Sequence, residues 1–364
     1  MTFSTTFHDL LDPFTAERVS VRLAGGRMVE KATTIANTDG RNIDASEWWL
    51  LPGLYDADAH LPLVEAGMRA SDAIAALNGG VTKVNVAVQW QDIAHLDLRS
   101  LLEDVDRSTL PRVVPILSVH PDHDSAGFGA WLEENAELVD TLFPPVCKLY
   151  SYGDAFINNL ESAFTAGLLP VIYCRELADV EMVVANASGP VHFRHAMTAE
   201  LVDAMKALPG ATMQTSPHFL LPIRDDVREQ LHVLPPVADA VTRQNFLPLV
   251  MDHIDLFVTD HNAPPLAEPR GPGLQVQQDF LAALITLAEI NGWRLQDVWQ
   301  KATEAASIFG RAHDPDDFVI VDPSFRREAN LWQPRQTADR APYRGIELAG
   351  RVIAIGNAST AAVL

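Results

Sequence analysis

Ligand-type side chains recur at the ends of short apolar runs in this chain of 364 residues. The first such run ends in Asp56-Ala57-Asp58-Ala59-His60, where period-two alternation places Asp56, Asp58 and His60 on one face of a strand. Later runs carry Lys148, Cys174, Arg194, His195, Asp260 and His261. Carboxylate, imidazole and thiolate groups are the common protein ligands of zinc and similar ions. The pattern predicts a metal site, provided that the fold brings the ends of the runs together.

The elements that would position these side chains alternate along the chain. Eight short apolar runs are predicted as strands, namely 49–57, 82–88, 112–119, 146–150, 170–173, 191–195, 211–215 and 256–259. Helical spacing of apolar residues follows in 70–77, 130–142, 179–185, 199–208 and 280–290. Eight such βα units favour an α/β fold of the (β/α)8 TIM barrel type, although counting alone leaves an open doubly wound sheet possible. In a barrel, the ends of all eight strands meet at one mouth.

The two ends of the chain have a different texture. Residues 1–50 contain short alternating segments and a Gly25-Gly26 turn, without room for a barrel helix. Similar alternating segments return at 318–321 and 351–355. We therefore predict a barrel of residues 51–315, flanked by one small β domain that residues 1–50 and 316–364 build together.

Charge and cysteine usage restrict the partners and the compartment. The chain has 27 Lys and Arg against 48 Asp and Glu, a net charge of -21 that repels nucleic acid and anionic membranes. The 2 cysteines are too few for a disulfide framework. The amino terminus lacks a signal-peptide pattern, and no apolar run reaches the length of a membrane helix. These features predict a cytoplasmic protein.

Taken one at a time, the same residues have simpler interpretations. A single histidine at the end of a strand is more often a hydrogen-bonded structural residue than a ligand. Lys148 alone would be a surface or ion-paired lysine, and Cys174 a small buried apolar side chain. The acidic segment 122–124 is interpreted as a polar loop. The metal-site hypothesis therefore depends on the whole set.

Several motifs, in order, resemble the amidohydrolase superfamily, and within it the dihydroorotases with their hydantoinase and allantoinase relatives. The motifs are Leu51-Pro52-Gly53-Leu54-Tyr55-Asp56-Ala57-Asp58-Ala59-His60, Val146-Cys147-Lys148-Leu149-Tyr150, Ser216-Pro217-His218, Val233-Leu234-Pro235-Pro236, Val258-Thr259-Asp260-His261-Asn262-Ala263-Pro264, Gly271-Pro272-Gly273-Leu274 and Phe318-Val319-Ile320-Val321-Asp322-Pro323. Each motif is weak alone, but their order covers most of the chain. The resemblance implies a metal-dependent hydrolase barrel with a small β domain.

The resemblance also implies a site with one or two zinc ions. The first ion would be held by Asp58, His60, Lys148 and Asp260, and the second by Lys148, Cys174 and His195. Lys148 would be carboxylated, and Asp260 would be the catalytic proton carrier. Asp58 and Cys174 stand where the family has histidine. Both types ligate metals, so a rebuilt site and a metal-free site remain open.

The substrate side departs further from the family. Where dihydroorotases have Arg, Asn and His to grip a carboxylate, this chain has Pro62, Gln89 and either Pro264 or Pro265. Proline cannot supply a cationic clamp. Candidate substrate-binding residues are Gln89, Arg175, Arg194, His218 and His261. Ordinary dihydroorotase activity is therefore not expected.

Two functions follow from these departures, and whether the chain is an enzyme stays open at this point. The favoured one is a non-catalytic dihydroorotase-like protein, acting in assembly or regulation in pyrimidine biosynthesis with aspartate carbamoyltransferase as partner. The alternative is an active metal-dependent hydrolase of a small cyclic amide with a rebuilt ligand set, and an unrelated barrel function is a third. A homo-oligomer is expected at the level of the family.

Overall fold

The computed structural model describes residues 4–37, 39–61, 70–93, 110–120, 127–262, 272–303, 305–309, 314–329, 337–357 and 359–364. The strands are β1 Ser4–Leu11, β2 Arg18–Ala24, β3 Arg27–Ala32, β4 Arg41–Asp44, β5 Trp49–Pro52, β6 Leu54–His60, β7 Val81–Gln89, β8 Arg112–Ser118, β9 Val146–Tyr150, β10 Leu169–Tyr173, β11 His192–Arg194, β12 Thr212–Thr215, β13 Leu256–Phe257, β14 His261–Asn262, β15 Phe318–Glu328, β16 Glu347–Gly356 and β17 Ala361–Val363. The helices are α1 Ala70–Asn78, α2 Trp90–Ile93, α3 Phe128–Glu134, α4 Ala136–Leu142, α5 Phe156–Thr165, α6 Leu177–Asn186, α7 Ala199–Met205, α8 Asp225–Arg228, α9 Ala240–His253, α10 Phe280–Asn291, α11 Leu295–Thr303 and α12 Ala305–Ile308.

The parallel strands form a (β/α)8 barrel whose last strand is divided. The sheet runs in the order β13-β12-β11-β10-β9-β8-β7-β6-β14. Because β13 pairs with β12 and β14 pairs with β6, the two short pieces together act as the eighth strand and close the ring. The TIM-barrel prediction is therefore confirmed, and the divided eighth strand places residues 258–260 at the closure.

Both ends of the chain build a separate sheet, as the sequence predicts. Its strands lie in the order β17-β16-β15-β5-β1-β2-β3, with β4 pairing to β1. Its own core contains Phe7, Leu10, Val21, Phe318 and Ile320. Phe7 and Val21 alternate with polar neighbours as in a half-buried sheet, whereas Phe318–Val321 is buried throughout. The small β domain contributed by both termini is confirmed.

The run 49–57, predicted as one strand, belongs to two sheets. Trp49–Pro52 pairs antiparallel with β15, whereas the barrel strand β6 begins at Leu54. Gly53 stands between them, and a Cβ at that position would collide with the Thr82 side chain. The glycine therefore permits a change of sheet that apolar periodicity could not predict. The exact domain limits at 50 and 315 stay a prediction.

Helix α10 joins the barrel to the small sheet. Its residues from Phe280 to Ala288 are all buried, because one side faces the barrel and the Thr286 hydroxyl accepts a 2.9 Å hydrogen bond from the backbone of Ala349 in β16. A helix that is apolar all round is typical of such a sandwiched position. Within the described ranges, no helix combines the length and the apolar character that crossing a membrane requires.

Candidate active site at the barrel mouth

Asp58 is the centre of a buried polar network inside the barrel. Its carboxylate accepts hydrogen bonds from Arg194 Nε at 2.6 Å, Arg194 Nη2 at 3.1 Å and Lys148 Nζ at 2.9 Å. A further bond of 2.5 Å comes from Gln214 Nε2. The donors belong to β9, β11 and β12, so strand alternation turns one inward side chain from each toward Asp58. Both carboxylate oxygens are thus fully engaged.

The Nη2 atom of Arg194 lies among the three side chains best suited to hold an ion. It is 3.1 Å from Asp58 Oδ1, 3.1 Å from His60 Nε2 and 3.8 Å from Asp260 Oδ1. Asp58 Oδ1 and Asp260 Oδ1 are each 3.8 Å from His60 Nε2. A guanidinium nitrogen therefore stands at the centre of a triangle of potential ligand atoms.

The ring nitrogen Nε2 of His60 lies within hydrogen-bond distance of two cationic side chains. Arg194 Nη2 at 3.1 Å and Lys148 Nζ at 3.3 Å both face this atom. Because arginine and charged lysine can only donate, Nε2 must carry the lone pair and the ring proton must be on Nδ1. Burial and then the charges of Lys148 and Arg194 lower the pKa of His60 well below its ordinary range. His60 is therefore a neutral acceptor.

Burial and the neighbouring charges together set the ionisation of the groups at the mouth. Burial acts to raise the pKa of Asp58, but the charges of Arg194 and Lys148 outweigh it and hold that pKa well below the ordinary value. Burial, strengthened by the Asp58 charge, raises the pKa of Asp260 to about 8. Burial and the Arg194 charge lower the pKa of Lys148 to about 8, against the opposing effect of Asp58. At pH 7 the arrangement holds Asp58 ionised against two cations.

Asp260 and His195 are held in an unusual backbone conformation. Their φ angles are 52° and 55°, in the left-handed region that costs non-glycine residues conformational energy. His195 Nε2 lies 3.8 Å from Asp260 Oδ1, and Asp260 sits at the division of the eighth strand. The closure of the barrel therefore turns these two side chains toward the mouth.

The fit of a metal ion at the mouth depends on the spacing and on the free lone pairs of the potential ligands. Asp58, His60 and Asp260 offer ligand atoms within 4.8 Å of one another, so a possible site for one ion exists. Two ligand atoms of a tetrahedral zinc lie about 3.4 Å apart, close to the 3.8 Å separations found here. However, the lone pairs of Asp58 Oδ1 and His60 Nε2 already accept from Arg194 and Lys148. As these side chains stand, they do not fit an ion.

Lys148 does not have the surroundings of a carboxylated lysine. Carboxylation requires a neutral amine and replaces a positive charge by a negative one, whereas Lys148 Nζ forms a 2.9 Å ion pair with Asp58. A negative carbamate at that position would face the Asp58 carboxylate and leave Arg194 to compensate both negative groups. Carboxylation of Lys148, which the family resemblance implies, therefore stays a prediction that this ion pair does not favour.

The predicted ligands of a second ion are less well assembled. Among the described residues, the three-membered group includes neither Cys174 nor His195. Cys174 follows β10 and is buried, and burial raises the pKa of its thiol to about 12 while a hydrogen bond with Ser151 opposes the rise. His195 instead packs edge to face on Tyr173, with ring centroids 5.3 Å apart. Their roles as ligands remain predictions.

The candidate substrate-binding residues lie around the mouth in different settings. Gln89 accepts a 3.0 Å bond from the backbone of His120, and Arg175 stacks over the Tyr152 ring at 4.3 Å. His261 Nδ1 accepts backbone bonds from Val276 at 3.1 Å and Gln277 at 3.3 Å. His218 is fully buried, and burial lowers its pKa to about 3. Pro62, Pro264 and Pro265 lie outside the described residues.

The sequence analysis did not predict the residues that hold the Asp58 carboxylate in place through hydrogen bonds. Gln214 donates to Asp58, and its Oε1 atom is 2.9 Å from His192 Nε2. His192 Nδ1 in turn lies 2.7 Å from Thr212 Oγ1. The available signal was the polar residues at alternating positions of two otherwise apolar strands, 192 and 194 in one and 212 and 214 in the other.

Comparison with known proteins finds relatives in sequence and in structure. A dihydroorotase of Leifsonia xyli subsp. xyli is 23% identical, over 95% of this chain and 93% of that protein. The crystal structure of dihydropyrimidinase from Brevibacillus agri aligns with a TM-score of 0.76 at 16% identity, over 100% of this chain and 95% of that one. L-hydantoinase from Arthrobacter aurescens aligns with a TM-score of 0.73 at 15% identity, over 100% and 98%. No family model matches the chain.

The chain is similar to a dihydroorotase in sequence and shares the fold of dihydropyrimidinases and hydantoinases. The dihydroorotase relative spans nearly the whole chain, and the structural neighbours share both the barrel and the flanking β domain. Within this dihydroorotase-like fold, Arg194 and Lys148 occupy the position at which the resemblance predicts metal ions.

Proposed function

We propose that this dihydroorotase-like protein is non-catalytic and that its barrel serves in assembly or regulation in pyrimidine biosynthesis, with aspartate carbamoyltransferase as its partner. The observation that carries the first part is the placement of Arg194 Nη2, 3.1 Å from both Asp58 Oδ1 and His60 Nε2. A hydrolase of this family would need these lone pairs for an ion that activates water. Here two side-chain cations use them.

The metal content and the turnover of the purified protein test the loss of hydrolysis. We expect less than about 0.1 zinc, manganese or cobalt ion per chain after purification without chelators. A site of structural affinity would stay filled under those conditions, so a low metal content means that no such site is present. We also expect no hydrolysis of dihydroorotate, dihydrouracil or hydantoin. The matched control is the variant His60→Ala/Asp260→Ala. One or two ions per chain that the control lacks, together with turnover, would contradict the proposal.

The assembly role requires a protein surface, and the outside of the barrel offers one. A cavity of about 460 Å³ lies between α3, α4 and α5, lined by the apolar side chains of Leu132 and Val139 and by the carboxylates of Glu133, Asp140 and Glu161. The two apolar side chains are buried and the carboxylates are exposed, which corresponds to the apolar centre and polar rim of a protein interface. It lies on the helical layer, so a partner bound there would not need an open barrel mouth.

Co-sedimentation with aspartate carbamoyltransferase tests the proposed partner. We expect the two purified proteins, mixed at micromolar concentrations, to sediment together as a defined complex whose mass gives the stoichiometry. The complex should form equally well with the His60→Ala/Asp260→Ala variant, because those side chains lie at the mouth. Separate sedimentation at all concentrations up to about 100 μM would contradict this partner.

The alternative function is a metal-dependent hydrolase of a small cyclic amide, which the similarity to a dihydroorotase and to hydantoinases suggests. It is favoured by one observation, the ligand atoms of Asp58, His60 and Asp260 within 4.8 Å of one another. In that case Asp260, whose pKa burial raises to about 8, would hold the proton at the reacting nitrogen. The metal and turnover measurements above separate the two functions.

A further inference from the structure

We propose that the Arg194 guanidinium is a built-in cation that takes the place of a metal ion, and that Asp58, His60 and Asp260 form a latent metal site that opens when this side chain is removed. The inference rests on the proposed function in one respect, namely that the unaltered protein holds no ion at this point. It adds that a single residue decides the difference.

The first argument is position. Arg194 Nη2 is within 3.8 Å of one potential ligand atom on each of Asp58, His60 and Asp260. Those ligand atoms are themselves within 4.8 Å of one another, as one ion would require. Lys148 Nζ reaches only Asp58 Oδ1 and His60 Nε2, at 2.9 Å and 3.3 Å, and lies to one side. Arg194 therefore approaches all three potential ligands, whereas Lys148 approaches two of them.

The second argument is how firmly the guanidinium is held. Its Nε and Nη2 atoms form a two-point contact with both oxygens of Asp58, at 2.6 Å and 3.1 Å. The rings of Tyr150 and Tyr173 flank its carbon Cζ at 5.9 Å and 5.6 Å. The side chain is only 2% exposed, so a bulk ion would have to displace a fully seated partner.

The third argument is charge. With Arg194 in place, an entering divalent ion meets two fixed cations, both paired with Asp58, and one of them also lies 3.8 Å from Asp260. Without Arg194, Asp58 keeps one ion pair, while its second oxygen, the lone pair of His60 and the Asp260 carboxylate lose a partner. These are zinc-type ligands in a partly water-accessible mouth, since the His60 side chain is 29% exposed. Removing the Arg194 side chain therefore removes one of the two positive charges that oppose an ion, and Lys148 remains.

Titration with Co2+ tests the inference, because the visible absorption of cobalt reports its coordination directly. We expect Arg194→Met to bind one Co2+ per chain at least about 100-fold more tightly than the unaltered protein, with tetrahedral d–d absorption. The absorption should disappear in Arg194→Met/His60→Ala. The matched control is Lys83→Met, which removes another buried cation, 3.3 Å from Asp317, at a place without histidine ligands.

Each outcome bears on the inference. If Arg194→Met folds but binds Co2+ no better than the unaltered protein or Lys83→Met, the inference is wrong while the proposed function stands. If the unaltered protein itself binds Co2+ tightly through His60, both are wrong. Should Arg194→Met not fold, Arg194→Gln keeps an amide donor for Asp58 without the charge, and the same gain in affinity is required of it.

Discussion

Asp58→Ala is expected to lower the free energy of unfolding by about 3–5 kcal/mol, because it leaves Arg194 and Lys148 buried without their shared carboxylate. Gln214 would also lose its acceptor. Urea denaturation at pH 7 measures the change. Glu289→Ala is the matched control, since it breaks an ion pair of 3.0 Å with Arg326 that lies at the surface. There we expect a loss of no more than about 1 kcal/mol.

A double-mutant cycle shows whether the Asp58 effect comes from the cations. Arg194→Met added to Asp58→Ala removes one of the two stranded charges, so part of the lost stability should return. We expect a coupling free energy above about 1.5 kcal/mol between the two positions. Additive effects of the two substitutions would mean that the 2.6 Å contact between Arg194 and Asp58 contributes little to stability.

Asp56→Ala is the second substitution for which we expect a large effect, because Asp56 fastens the first barrel strand to the eighth. Its carboxylate accepts bonds from the Thr259 backbone at 3.0 Å, the Thr259 hydroxyl at 2.5 Å and Gln277 Nε2 at 2.7 Å. Alanine would leave three buried donors unpaired beside a cavity. We expect a loss of about 3 kcal/mol in urea denaturation, with faster hydrogen exchange at the Thr259 amide.

Asp56→Asn is the matched control for this prediction. The asparagine oxygen can still accept from the Thr259 backbone, and Gln277 Oε1, which has no hydrogen-bond partner among the described residues, can accept from the new amide after a side-chain flip. Burial raises the pKa of Asp56 to about 6, so removing the charge also removes a desolvation cost. A loss equal to that of Asp56→Ala would show that charge, rather than hydrogen bonding, closes the barrel.

The barrel mouth explains why family resemblance and ligand inventory pointed in two directions. Asp58 and Asp260 are metal-ligand types, yet both face Arg194, at 2.6 Å through Nε and at 3.8 Å through Nη2. A nearby cation stabilises an ionised carboxylate that is buried, and either a metal ion or a guanidinium can supply that charge. The same acidic residues are therefore compatible with a metal ion or with a guanidinium. Only the direction of the Arg194 side chain distinguishes these two arrangements.

The sequence by itself predicted the alternating βα units, the small β domain and the common face of Asp56, Asp58 and His60. These are local signals, since apolar runs of strand length, helical spacing and the alternation of Asp56, Asp58 and His60 are all read within a few residues. The divided eighth strand and the change of sheet at Gly53 were not predicted from the sequence, because each depends on pairing with a distant strand.

Only the tertiary structure decided how the mouth is filled. Lys148, Arg194 and Gln214 reach Asp58 from positions 90, 136 and 156 residues away along the chain. The sequence places Arg194 at a strand end but does not say whether its long side chain turns to substrate, to solvent or inward. The side chain turns inward because Asp58 lies across the barrel, and an ion pair with the nearest cation stabilises that buried carboxylate.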